Sequence, residues 1–134
     1  MVFDGFGAWR AYKNIYKCSV RALLDSSICS IAGKRYVCER LYSSYVKSEE
    51  KNQVDNLLND LNDWIMDKLN EGNVFAALEL MYAFSVTNNI PLQLDTYGSF
   101  CEKELYTAKS DYKERGIWTQ AEIYYNFLRQ KTNW

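Results

Sequence analysis

Val74-Phe75-Ala76-Ala77-Leu78-Glu79-Leu80-Met81-Tyr82-Ala83-Phe84 carries one charge in eleven residues, and Gly72 and Asn73 stand at its head. A helix that is apolar on every side has to be enclosed by protein or by lipid. At the rise of an α-helix this run spans roughly 16 Å, against ~30 Å for the hydrocarbon core of a bilayer. The run therefore reads as a buried central helix, about residues 73–87, of an all-α bundle. Its neighbours then have to be amphipathic helices that wrap it.

Working outward, the segment before Gly72 supplies such a wrapper. Val54, Leu57, Leu58, Leu61, Trp64, Ile65 and Leu69 recur at helical spacing, with Asp55, Asp60, Asp63 and Asp67 on the remaining faces. Glu71-Gly72-Asn73 ends that helix and opens the apolar one. Earlier, Trp9, Tyr12, Tyr16, Val20 and Leu23 predict a helix over 7–25, and Val37, Leu41 and Tyr45 a second over 34–47. Asp25-Ser26-Ser27 and Ala32-Gly33 read as the turn between them, and Ser48–Asn52 as a polar loop. After the apolar run, Thr87-Asn88-Asn89-Ile90-Pro91 forces a stop, because proline cannot continue a helix. Cys101, Leu105, Ala108 and Tyr112 predict the next helix. Arg115-Gly116 interrupts it, and Ile117, Trp118, Ala121, Tyr125 and Leu128 start a last one. Six or seven helices and no strand result, in a single domain over 1–134.

Composition fits that outline. One proline and six glycines in 134 residues favour helices over a β-sandwich. A net charge of −1 gives nucleic acid or an anionic membrane no general attraction. Charge is uneven, with seven basic and three acidic residues over 1–46 and three basic and seven acidic over 47–71. Eleven tyrosines exceed what a small core needs, and tyrosine is enriched at contact surfaces, so a homodimer is one expectation. No basic flank and apolar run opens the chain as a signal peptide would, and no hydrophobic tail ends it, so a cytoplasmic protein with free thiols is expected.

The residues for catalysis are missing. Histidine is absent, and there is no glycine-rich phosphate loop and no nucleophile elbow. Cys18, Cys29, Cys38 and Cys101 are spaced 11, 9 and 63 apart, which matches no zinc pattern. Asp60, Asp63 and Asp67 share a helix face, but no second helix offers the Glu-x-x-His ligands of a di-metal bundle. Lys34-Arg35 is too short for a nucleic-acid stripe. The expectation is an interaction protein with no enzyme activity, no metal and no cofactor.

Two segments resemble one family. Leu69-Asn70-Glu71-Gly72-Asn73-Val74-Phe75-Ala76-Ala77-Leu78, closing in Tyr82-Ala83-Phe84-Ser85, is similar to the first homology motif of the Bcl-2 apoptosis regulators. That motif is an acidic-Gly pair, Asn-Trp-Gly-Arg, and an apolar helix closing in Phe-Gly. Glu114-Arg115-Gly116-Ile117-Trp118, followed by Tyr125, resembles the second motif, a Gly-Gly-Trp that opens a short terminal helix. The motifs stand in the family's order with a helix pair between them. The departures are specific. Phe75 takes the motif's Trp position, Ala76 its Gly and Ala77 its Arg, while Val74 stands where Asn is usual unless a one-residue gap gives Asn73 that role. Leu41 is all that remains of a ligand-type Leu-x-x-x-Gly-Asp in the second helix.

The resemblance implies a Bcl-2-like bundle, closest in style to virus-encoded prosurvival members such as those of iridoviruses. It implies capture of the homology-3 helix of proapoptotic Bcl-2 proteins in a surface groove, in the host cytoplasm or at mitochondria through partners. By family position the groove is lined by Trp64, Asp67, Lys68, Phe75, Ala77, Leu80, Phe84 and Tyr125, with Glu71, Gly72, Asn73, Gly116 and Trp118 as motif positions. Lacking an Arg at 77, a ligand aspartate would have to turn to Lys68, so apolar anchors should dominate and the partner range should be narrow. The groove residues read equally as plain core. A helical adaptor that modulates innate immune signalling without a working groove is the competing expectation.

Overall fold

A computed structural model describes residues 7, 9, 10, 12, 13, 20–27, 29–86, 90–132 and 134. Six α-helices account for most of them, and the described residues include no β-strand. They are α1 (Val20–Asp25), α2 (Ile31–Lys47), α3 (Lys51–Asn70), α4 (Val74–Ser85), α5 (Gly98–Glu114) and α6 (Trp118–Lys131), with a 3-10 turn at Asp95–Tyr97. The backbone groups into two compact units, Met1–Trp64 and Ile65–Trp134, and the division falls inside α3.

In the first unit the helix expected over 7–25 is described in pieces. Trp9 and Tyr12 stack with centroids 6.0 Å apart, and α1 buries Leu23 and Leu24. Tyr16 and Cys18 lie outside the described residues. The expected turn at Ala32-Gly33 is instead part of α2. Ser30 caps that helix, its hydroxyl accepting from the Gly33 N–H at 3.0 Å, and such a cap is worth about 1 kcal/mol, enough to offset a glycine in the first turn. Lys34, only 7% exposed, donates to the Leu24 carbonyl at 2.9 Å. That oxygen is among the carbonyls a helix end leaves without an internal partner, so the buried ammonium closes α1. It also lies 5.0 Å from the centre of the Trp64 ring. Arg35 pairs with Glu39 at 2.9 Å, so the short basic pair is absorbed by local structure.

Three helices end in one device. At the end of α2, Glu50 N–H reaches Tyr45 O at 2.9 Å and Glu49 N–H reaches Val46 O at 3.2 Å. At the end of α3, Asn73 N–H reaches Lys68 O at 2.9 Å and Gly72 N–H reaches Leu69 O at 3.0 Å. At the end of α5, Ile117 N–H reaches Tyr112 O at 2.9 Å and Gly116 N–H reaches Lys113 O at 3.2 Å. These paired bonds make the Schellman motif, which needs a left-handed residue after the cap. Glu49 (φ 60), Gly72 (φ 76) and Gly116 (φ 73) are those residues.

In the second unit α4 packs against α5 and α6. Asn73 opens α4, its side chain accepting from the Ala76 N–H at 3.1 Å. Val74, Ala77, Leu78, Leu80, Met81, Phe84 and Ser85 are buried, the remaining residues of α4 are half-buried, and none is exposed. Thr87-Asn88-Asn89, the expected stop, lies outside the described residues; beyond it Ile90, Leu94 and Tyr97 are buried and pin the connection to α5. α5 starts at Gly98, three residues before the expected face, and α6 runs on to Lys131. No helix among the described residues is long and apolar enough to cross a membrane.

Candidate functional site

The expected groove residues fall into three environments. Trp64 belongs to the first unit, 6% exposed beneath the Lys34 ammonium. Asp67 and Lys68 are half-buried in the last turn of α3, where Lys68 pairs with Glu71 at 3.5 Å. That pair is largely solvated, which limits its worth to roughly 0–1 kcal/mol. Ala77, Leu80 and Phe84 are 0%, 2% and 2% exposed, so in this conformation all three are core. Phe75 and Tyr125 keep part of their surface open, against different residues. Tyr125 lines a cavity of about 180 Å³ with Leu105, Tyr106, Lys109 and Trp118, and its ring lies 5.8 Å from that of Trp134. Burial, with Glu102 nearby, raises its phenol above the ordinary range.

The motif positions have local reasons of their own. Gly72 and Gly116 supply left-handed turns, Glu71 pairs with Lys68 beside one of them, and Asn73 is the N-cap of α4. Trp118 opens α6 with the Lys109 ammonium 5.2 Å from its ring centre. Helix-boundary chemistry thus gives Glu71, Gly72, Asn73 and Gly116 a local role.

Phe75 leads to a feature the sequence expectation left out. Its ring meets Tyr112 edge-on at 6.1 Å and Tyr124 at 6.0 Å. Tyr124 meets Tyr82 at 4.7 Å, and Tyr82 meets Phe127 edge-on at 5.0 Å. Five rings thus run from Tyr112 of α5 along the α4–α6 seam. Tyr112 is buried, while Phe75, Tyr82, Tyr124 and Phe127 are half-buried. The Tyr112 hydroxyl accepts from the Phe75 N–H at 3.0 Å, which satisfies one of the unpaired donors in the first turn of α4. At the far end the Lys131 ammonium sits 5.7 Å from the Phe127 ring centre and donates to the Ser85 carbonyl. The signal for this row was in the sequence: Phe75, Glu79 and Tyr82 follow the i, i+4, i+7 spacing of one helix face.

Glu79, the lone charge of the apolar run, belongs to that face and is half-buried. Burial raises its carboxyl above the usual range, and no neighbouring charge contributes. It makes no ion pair or side-chain hydrogen bond among the described residues. The described thiols are buried; desolvation raises Cys29 and Cys38 and pushes Cys101 up to about 12. Among the described residues no group of three or more potential ligands could hold a metal ion. Comparison with family models, curated proteins and solved structures finds no match to this chain.

Proposed function

We propose that this protein is a non-catalytic, helix-binding inhibitor of apoptosis of the Bcl-2-like, virus-encoded type, acting in the host cytoplasm on the homology-3 helices of proapoptotic proteins. The observation that carries the reading is the half-open row formed by Phe75 and Tyr82 of α4, whose other face is core, with Tyr124 and Phe127 of α6. A helical ligand needs an apolar strip with the pitch of a helix. Phe75 and Tyr82 stand two turns apart, about 10 Å along the axis, which matches ligand anchors at i and i+7. Aromatic rings give large contact area at low conformational cost, and each buried apolar anchor contributes about 1.5–3 kcal/mol before ordering costs.

A second reading is an adaptor of innate immune signalling with no working groove, alone or as a homodimer. The burial of Ala77, Leu80 and Phe84 favours it, because a ligand reaches those residues only if α4 shifts. Peptide binding separates the two. Isothermal titration against a panel of homology-3 peptides should give at least one complex, and Tyr82→Glu should weaken it at least tenfold while helical circular dichroism persists. Leu80→Glu or Phe84→Glu is uninformative about binding, since a charge at either core position should unfold the second unit. Silence across the whole panel favours the adaptor, and sedimentation then decides whether it self-associates.

A further inference from the structure

We propose that Glu79 makes the α4–α6 row a receptor for a basic side chain, so that the helix bound there carries an arginine or lysine between its apolar anchors. The inference rests on the row being the helix-binding surface, and it names the chemistry of the partner.

Three observations converge. Glu79 is the only charged residue between Gly72 and Asn88, and it sits between Phe75 one turn before it and Tyr82 one turn after it. Tyr124 packs against both of those rings, and the helical spacing of 75, 79 and 82 puts Glu79 on the face they share. Its charge has no partner among the described residues. Aromatic faces are negative, so a helix face that carries both rings and a carboxylate is a poor neighbour for an anion and a good one for a cation. The row already holds a cation in this manner, Lys131 on Phe127. Docking a helix on this face would desolvate the half-buried carboxylate further, and left unpaired it would cost binding energy that a partner cation removes.

The outcome inverts the charge logic that the family resemblance implies. An arginine at position 77 would receive a ligand aspartate, but the residue there is a buried alanine. An acidic ligand residue over this row would instead meet Glu79. Selection by like-charge repulsion is as effective as selection by attraction, so a narrow partner range follows from one carboxylate.

The test uses the whole chain and homology-3 helical peptides in which Arg, Gln or Glu is placed three or four residues after an apolar anchor. Titration calorimetry of wild type should rank Arg above Gln by about tenfold, with Glu weakest. In Glu79→Gln the Arg and Gln peptides should become equal, and in Glu79→Lys the order should reverse. Peptides that bind wild type without preferring Arg, or an Arg preference that survives Glu79→Gln, overturn the inference and leave the helix-binding reading in place. No binding by any peptide removes both. The ranking on wild type stands as a test even if a variant fails to fold.

Discussion

At Glu49 the chain takes a left-handed turn (φ 60) that every residue but glycine adopts at a cost. The two equivalent turns are filled by Gly72 and Gly116, so Glu49 marks the one strained cap among the three. Glu49→Gly should raise stability by about 1 kcal/mol, visible as a higher midpoint in urea denaturation, because the cap bonds stay and the Cβ clash goes. Glu79 makes the opposite kind of residue-level claim. Its carboxyl is raised in the folded chain by burial. A raised acid binds protons more readily folded than unfolded, so the ionised form is penalised above the folded pKa and the penalty fades as pH falls toward the ordinary glutamate range. Glu79→Gln should therefore stabilise the protein at neutral pH, with the gain shrinking as the medium is acidified through that window. A gain independent of pH would mean that desolvation of the charge is not the cause. The caps were legible in the sequence as Glu71-Gly72-Asn73 and Arg115-Gly116, since glycine after a periodic run has one common meaning. Glu49 was not, since nothing about glutamate announces a left-handed turn.

Among the elements, α4 decides the account. Its N-terminus is held by the Asn73 side chain and by the Tyr112 hydroxyl from α5. Tyr112→Phe removes a single oxygen and leaves the Phe75 N–H unpaired in a half-buried site, so it should cost about 1–2 kcal/mol in chemical denaturation with the edge-on ring contact preserved. A cost near zero would show that water replaces the hydroxyl. The existence of α4 was plain from eleven residues with one charge. The choice of its open face was not. A helix apolar all round carries no periodicity to say which side the fold leaves part-open, and by family position Phe75 was grouped with Ala77, Leu80 and Phe84 in one groove, while Tyr82 was left out of it. Packing alone separates them: Ala77, Leu80 and Phe84 are core, while Phe75 and Tyr82 lie half-open along α6. The start of α2 escaped for a different reason. Gly33 read as a breaker, while Ser30, three residues before it, supplied a cap that carried the helix through.

For the molecule as a whole, the missing histidine, phosphate loop and nucleophile elbow argued against catalysis, and the half-open aromatic row between helices supports the proposed contact with another helix. Tyr124 and Phe127 reach that row from α6 across more than forty positions of sequence from Phe75 and Tyr82, a distance no local pattern spans. The central claim is that the row binds a helix, and calorimetric titration of homology-3 peptides into wild type and Tyr82→Glu tests it most directly. The account predicts at least one peptide bound more tightly than about 10 μM by wild type and at least tenfold more weakly by a folded Tyr82→Glu. Equal affinities for the two proteins, or no heat of binding from any peptide, would contradict it.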